Sequence, residues 1–506
     1  MIINTNKIYS LDALQEKLSM FRKQGKIIGL CHGVFDLLHV GHVKYLTRAS
    51  KMVDILIVTL TPDIHVNKGP NRPAFTEKLR AEFLAALEVV DFVAINQWPT
   101  AIETLVFLKP DFYIKGPDYK DFLKDTTGNI QREKDAIEAV GGQLVFTEEE
   151  TFSSSNLLVQ YSSLYTPQQR EFIQKLRSQY KFEQVEEWFQ KLKELKVLVV
   201  GESIIDEYVF CNALGKSGKE PVLNMQFLQK ESYLGGVLAV ARHLQGIGCQ
   251  TEVLSAVGED RQFEDRIHNE LEQISCHFIA KKNSPTIVKR RIVDQYSQAK
   301  LLGVYEINDA YLDVQQEKEI LDWFQEHLKR FDIVIVADYG HGLLTPKIIK
   351  KLSFEANYLA LNTQSNSANI GFHTISKYPK ADFVCIHQGE LHQDYRSRFE
   401  KTDDLALRLS KKLQTKRLLI TLGKEGVLGC EKNILQNCPA FASKIIDRVG
   451  AGDTVLAVTA VLSRLGVPLD LTLVLGNLAG AFAVAIKGNE SCLDSITLLK
   501  SVKALL

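Results

Sequence analysis

The 506-residue chain has no net charge: 61 lysines and arginines stand against 61 aspartates and glutamates. It therefore lacks the positive excess through which general nucleic-acid and anionic-membrane binders gain affinity. Only a local basic pocket, sized for small phosphates, stays open. No apolar run reaches the ~18 residues of a membrane-spanning helix. The opening MIINTNKIYSLDALQEKL has no apolar centre of the kind a signal peptide carries. Cysteine is sparse and scattered. Cys31, Cys211, Cys249, Cys276, Cys385, Cys430, Cys438 and Cys492 make no CxxC pair, which argues against a zinc site or a disulfide framework. Buried reduced thiols in a cytoplasmic protein are the expectation. Internal repeats and low-complexity tracts are also missing.

What is present is the composition of a globular protein with ample core, 45% hydrophobic and 24% charged. The length predicts two or three domains. In the first third, short apolar strands alternate with amphipathic helical stretches. Lys26–Cys31, Asp54–Leu60, Asp91–Ile95, Phe112–Lys115 and Gln143–Phe146 read as strands, and Glu77–Glu88 as a helix. Such alternation predicts an α/β fold with a doubly wound parallel sheet. From Thr166 to Leu195 the chain is polar and helix-periodic, which predicts a helical linker. A strand at Lys196–Val200 opens a second α/β region, with further strands at Ile333–Ala337 and Leu418–Thr421. Inserted β structure is expected at Tyr208–Tyr233 and Ile287–Tyr305, where branched and aromatic residues alternate with polar ones. The expected division is 1–160, a linker at 161–192, and 193–506.

Gly29–Leu46 reads GLCHGVFDLLHVGHVKYL. A strand ends, a glycine and aspartate turn follows, and His39 to His42 opens a helix. Two imidazoles three residues apart beside unsatisfied backbone N–H groups suit a triphosphate, which the helix dipole also favours. Gly41 between them allows close approach to the backbone. A bare HxGH fits two surface histidines equally well; its context is what matters. GxFDxxHxGH after a first strand, Lys68 with Arg72-Pro73, the Lys115–Tyr119 turn KGPDY and Ser153–Asn156 together resemble the cytidylyltransferase-like nucleotidyltransferases. The resemblance covers roughly residues 25–160. It implies a Rossmann-like domain in which an acceptor phosphate attacks the α-phosphorus of a nucleoside triphosphate and pyrophosphate leaves. It further implies His39 and His42 as catalytic. Gly33, Phe35, Asp36, Gly41, Lys44, Lys68, Arg72, Lys115, Asp118, Ser153, Ser154 and Ser155 would serve nucleotide binding. The acidic run Glu148–Glu150 reads as a solvated loop, and Mg²⁺ would travel with the triphosphate.

Asp447–Thr454 reads DRVGAGDT ahead of an apolar helix. Glycines at 450 and 452 let N–H groups converge at the helix start, and Asp453 is placed to take a proton from a hydroxyl attacking a γ-phosphate. A glycine-rich turn with Asp453 as a helix cap is the plainer reading of GAGD alone. With Gly201–Asp206, Gly235-Gly236, Asp338–Gly342, Thr421–Gly426 and Asn477, the region resembles the ribokinase-like carbohydrate kinases. That resemblance implies a ribokinase-like α/β domain with a small β lid over the sugar. Asp453 would be the base, and Gly450, Ala451 and Gly452 the anion hole. Thr421, Gly423, Gly426 and Asn477 would line the nucleotide site, Asp206, Gly235 and Gly236 would contact the sugar, and Glu390 would sit near the metal. Three positions depart from the family pattern. Ala239 replaces a sugar-contacting asparagine, His387 begins the NxxE element, and Leu361–Ser365 lacks a lysine.

The pairing resembles the bifunctional ADP-heptose synthases, although there the kinase comes first. It implies phosphorylation of a sugar followed by attachment of a nucleotide, with ATP or another nucleoside triphosphate and Mg²⁺. Partners would be nucleoside triphosphates and a sugar or sugar phosphate, with no nucleic acid and no membrane. The resemblance also implies a homodimer in a bacterial cytoplasm. Two other readings remain open at this level. In one, only the nucleotidyltransferase is active and the kinase-like domain senses ligand or dimerises. In the other, the enzyme uses CTP.

Overall fold

The computed structural model describes residues 5–66, 72–116, 129–147 and 165–506. They form two compact units, the first running to Arg170 and the second from Glu171 to Val502.

The first unit is built on β1 (Ile8–Tyr9), β2 (Ile28–Gly33), β3 (Ile55–Leu60), β4 (Phe92–Ile95), β5 (Phe112–Lys115) and β6 (Gln143–Phe146). They lie in the order β1-β4-β3-β2-β5-β6, every pairing parallel. Alternation along each strand feeds two cores, with Leu30, Ile57 and Tyr113 on one face and Cys31, Val58 and Ile114 on the other. Burial on both faces explains why these strands read as nearly continuous apolar runs. The strand order reverses between β2 and β5, and ligands in such sheets gather outside the carboxyl ends at that reversal. Gly33 and Lys115 end those two strands. The helix expected at Glu77–Glu88 stops at Ala85, where the chain turns to enter β4.

The second unit has a nine-stranded sheet. Its strands are β7 (Lys196–Gly201), β10 (Gln250–Gly258), β11 (Ser275–Lys281), β14 (Ile333–Asp338), β15 (Leu359–Thr363), β16 (Phe383–His387), β17 (Arg417–Thr421), β18 (Val427–Glu431) and β19 (Ile434–Cys438). The order is β11-β10-β7-β14-β15-β16-β17-β18-β19, parallel except for the β17-β18-β19 meander. Here the reversal falls between β7 and β14. A separate four-stranded sheet, in the order β13-β12-β8-β9, is made of β8 (Ser203–Lys216), β9 (Leu223–Gly236), β12 (Ile287–Asp294) and β13 (Lys300–Glu306). This is the expected β insertion, but its first strand begins at Ser203 rather than near Tyr208. Gly201 allows the abrupt exit from the main sheet. Its φ of +151° suits glycine, and a Cβ there would lie 2.0 Å from the Ala337 carbonyl oxygen.

The polar stretch after Thr166 is helical, as Pro167–Gln179 and Phe182–Leu192. The latter buries Val185, Phe189 and Leu192, one apolar stripe at helical spacing. The helix Ala451–Arg464 is buried along nearly its whole length, which suits its run of Val, Leu, Ala and Thr.

Candidate active sites

In the first unit, β2 delivers the chain through Val34–Leu38 to the helix Val40–Ser50. His39 is its N-cap, with extended backbone, and its Nδ1 accepts from the Gly41 N–H at 3.0 Å. That bond leaves Nε2 as the protonated nitrogen of the neutral ring, a donor rather than an acceptor. Desolvation holds the imidazole below its ordinary pKa. The His42 ring lies 4.1 Å from that of His39, so the two expected catalytic imidazoles share one face of the helix start. Phe35, in the left-handed region at φ +48°, backs His42 at 5.4 Å. Lys44 is exposed and, two residues beyond His42, points away from the face that His42 shares with His39.

Asp36 and Arg72, both expected at the nucleotide, pair with each other at 2.9 Å, their side chains almost wholly buried. Asp36 also accepts from the Ala74 N–H, so the pair pins the segment that follows Arg72 against the turn after β2. Lys115 is buried at the end of β5, and Glu133 neutralises it at 3.0 Å. Lys68, Asp118, Ser153, Ser154 and Ser155 lie outside the described residues, as do Glu148–Glu150.

Two residues in this unit carry the site without having been singled out in the sequence. Arg80, completely buried, donates to the Val34, Thr61 and Phe75 carbonyls and to Asp63 Oδ1 at 2.6 Å. It gathers the ends of β2 and β3 into one rim. His32 is held by Thr59 and Thr61, with burial and then Lys115 pushing it down to about 3, so it stays neutral. Arg80 sits inside the amphipathic helical pattern, where one charged residue on the apolar stripe was the available signal.

In the second unit, Gly450 starts the helix Ala451–Arg464 at φ +82°, and a Cβ there would lie 2.1 Å from Asn489 Oδ1. A Cβ on Gly452 would meet nothing within 4 Å, so the helix start faces open space. Asp453 is buried and accepts from the Tyr339 hydroxyl at 2.7 Å. Burial raises its carboxyl to about 7; Asp206 adds to this, while the Tyr339 hydrogen bond and Lys289 oppose it. A carboxylate poised near neutrality suits a general base.

A proton chain braces the helix start. Leu493 N–H donates to His243 Nδ1, so Nε2–H donates to Thr454 Oγ1, whose hydroxyl donates to the Gly450 carbonyl. Burial keeps His243 neutral, its pKa pushed down to about 3. Glu202 spans the β7/β14 reversal by accepting from the Tyr339 and His341 N–H groups at 3.0 and 3.1 Å.

Asp206 lies on β8, in the insertion rather than the main sheet, and pairs with Arg291 at 2.6 Å. Gly235 leaves room for it: a Cβ would come 2.2 Å from Asp206 Oδ2. Gly236 (φ +59°) likewise lets β9 pass the Glu202 carbonyl. Asp447 ties the insertion to the glycine turn, accepting from Tyr208 at 2.6 Å and pairing with Lys300 of β13 at 2.5 Å.

Thr421 ends β17, Gly423 starts a short 3₁₀ turn, and Gly426 closes it where a Cβ would strike the Cys438 carbonyl. Asn477 engages its amide with the Pro439 and Phe441 backbone and so fixes the loop after β19. Ala239 is buried within its helix. Glu390 accepts from the His387 and Ser365 N–H groups, and burial raises its carboxyl to about 7. Among the described residues no cluster of three or more His, Cys, Asp or Glu could hold a metal. Near the lysine-free Leu361–Ser365 strand end, Lys377 supplies an ammonium to Asp338 at 2.6 Å from a different segment.

A lid sheet over a glycine-rich helix start, with a buried carboxylate at the β7/β14 reversal, defines a sugar kinase of the ribokinase type. The chain belongs to the pfkB family of carbohydrate kinases, which it matches over residues 194–496, and residues 30–160 match the cytidylyltransferase-like family. It is 29% identical over 315 residues to the bifunctional protein HldE of Trichlorobacter lovleyi, covering 61% of this chain and 63% of that one. The HldE of Campylobacter curvus is 26% identical over 305 residues, covering 59% and 63%. These matches span just under two thirds of the relatives' length. A shorter match, 38% identical over 141 residues, links 28% of the chain to 27% of HldE of Syntrophotalea carbinolica. Among solved structures, a ribokinase from Agrobacterium tumefaciens superposes with a TM-score of 0.50 at 16% identity, covering 62% of this chain and 97% of that one. A phosphofructokinase-2 mutant from Escherichia coli gives 0.51 at 15%, covering 62% and 99%. Both confirm the fold.

Proposed function

We propose that the chain is a bifunctional enzyme making a nucleotide-activated sugar of the ADP-heptose type. The second unit phosphorylates a sugar or sugar phosphate, and the first joins the product to a nucleoside triphosphate with release of pyrophosphate. The carrying observation is that each unit places a helix N-terminus, with its own chemical group, at a strand-order reversal. His39 and His42 stand at one, and Asp453 at the other. The two family matches support the same pairing, and the relatives are named as bifunctional proteins.

In the kinase, the acceptor hydroxyl passes its proton to Asp453 as its oxygen attacks the γ-phosphorus; the bond to the β–γ bridging oxygen breaks and ADP leaves. In the nucleotidyltransferase, the sugar phosphate oxygen attacks the α-phosphorus. His39 Nε2–H and the helix N–H groups neutralise charge that builds on the phosphate oxygens. Mg²⁺ carried by the triphosphate would supply further charge neutralisation in each reaction, and Glu390 would stand near it in the kinase. Exposed Leu214, Leu223, Phe227, Leu301 and Leu302 on the lid sheet offer apolar surface that a second copy would cover, which supports a homodimer. Cytoplasmic nucleotide pools fit these substrates.

A screen of ATP, CTP and GTP against sugar phosphates, read by pyrophosphate and ADP release, tests the assignment. Asp453→Asn should abolish phosphorylation and spare nucleotidyl transfer, and His39→Ala with His42→Ala should do the reverse. If neither change affects either reaction, the assignment is wrong. Nucleotidyl transfer without ADP release on any acceptor would leave the kinase-like unit as a ligand-sensing module.

A further inference from the structure

The loop after β14 reads Tyr339-Gly340-His341-Gly342, and both glycines lie in the left-handed region, at φ +75° and +92°. A Cβ on Gly342 would come 2.0 Å from the Ala310 carbonyl oxygen. The chain folds tightly on either side of His341 and turns its side chain inward, where it is 1% exposed. The Glu202 carboxylate that accepts from the His341 N–H also accepts from the N–H of Tyr339, whose hydroxyl reaches Asp453. One anchor thus sets both the imidazole and the partner of the proposed base. Asp309, just beyond β13, meets His341 Nδ1 at 2.7 Å. Lys281 Nζ bolts that stalk of the lid to the loop, donating to the Asn308 and His341 carbonyls at 2.6 and 2.8 Å.

A carboxylate so close makes Nδ1 the protonated nitrogen. Burial, and then the Lys289 ammonium, hold the imidazole below its ordinary pKa against the pull of Asp309. The ring is therefore neutral, and Nε2 keeps its lone pair. Among the described residues nothing donates to that lone pair, although Nε2 is buried. A buried acceptor cut off from bulk water costs free energy until a donor arrives. Lys289 acts through space on Asp453 as well, so imidazole and base border one compartment. We propose that His341 reads the acceptor of the kinase, its Nε2 accepting a hydrogen bond from a sugar hydroxyl other than the one that Asp453 deprotonates. The inference rests on the kinase assignment above. Because Asp309 fixes the tautomer, the position takes a donor. A hydroxyl satisfies it, whereas a keto or ether oxygen would set lone pair against lone pair. The acceptor is thereby a sugar with two free hydroxyls at the site, and an analogue lacking the second leaves Nε2 unpaired.

ADP release by the full-length protein is measured with mannose, glucose and the corresponding heptoses, each free and as its terminal phosphate. Monodeoxy analogues of the best acceptor, with the reacting hydroxyl intact, are then compared in wild type and variants. The wild type should lose roughly 10- to 100-fold in kcat/KM on one analogue. His341→Phe should lose as much on the parent acceptor and nothing further on that analogue, the non-additivity of two groups in contact. His341→Gln, which restores an acceptor oxygen, should recover part of the parent's rate, with Mg·ADP affinity unchanged throughout. Asp309→Asn frees the tautomer and should weaken the same discrimination; it serves if the phenylalanine lowers the melting midpoint. No discriminated analogue in the wild type, or undiminished discrimination in the variants, would overturn the proposal. So would a fall shared equally by every acceptor and by Mg·ADP binding, the mark of a structural role. ADP release with none of these acceptors would instead sink the kinase assignment itself.

Discussion

Tyr339→Phe removes one hydroxyl and leaves the ring that packs in the core. That hydroxyl donates to Asp453 Oδ1 at 2.7 Å and opposes the burial that raises the carboxyl to about 7. A hydrogen bond to a charged group contributes ~1.5–3 kcal/mol, and ~1.4 kcal/mol equals one pH unit of titration. Its loss should therefore carry Asp453 from about 7 up by about one to two pH units. The base works as the carboxylate, so the rate falls as pH drops through its pKa. The acid limb of kcat for ADP formation should move upward by that amount. At pH 7, where about half of the wild-type carboxyl is ionised, the variant should be slower by roughly 5- to 50-fold and should recover near pH 9.5. A coupled assay across pH 5.5–10 reads both limbs. An unmoved acid limb, or a loss that is uniform in pH, would refute Asp453 as a base tuned by Tyr339.

The same carboxyl governs folding with the opposite benefit. Its folded pKa is raised, so its favourable contribution is complete below about 4 and is lost as pH rises through about 7. Asp453→Asn should accordingly be inactive as a kinase yet more stable than wild type at pH 8, by roughly 2 kcal/mol. The advantage should shrink in urea unfolding as pH falls toward 4. His39→Asn keeps an acceptor for the Gly41 N–H but loses the outward Nε2–H. Nucleotidyl transfer should drop while the melting midpoint holds, whereas His39→Ala should also lose about 1 kcal/mol of helix stability. Arg80→Met leaves the Asp63 carboxylate and three carbonyls without their donor, so unfolding of the first unit should be easier by about 3 kcal/mol. Gly235→Ala would put a methyl against Asp206 Oδ2; phosphorylation of acceptors should fail while Mg·ADP binding by calorimetry survives.

Much of the architecture is legible along the chain because its causes are local. Strands buried on both faces are apolar throughout, helices show their stripe, and GAGD and HVGH, each between a strand and an apolar helical run, carry glycines and imidazoles that suit a helix start. Those properties determined the α/β class and the lid segments, and they marked the two helix starts at which catalysis is proposed. Tertiary structure decided what happens between segments distant in sequence. That Asp36 and Arg72 neutralise each other was not legible, because a buried charge is stable only with a partner and only the fold brings that partner within 2.9 Å. Asp206 stands on the lid because Gly201 lets the chain leave the main sheet five residues earlier. Arg80, His243 and Tyr339 look like ordinary helix or strand-end residues until the acceptors they serve arrive from other elements. Lys289 is one basic residue in a basic strand. The register sets it opposite Asp206, yet it is Arg291, two residues along, that closes on that carboxylate.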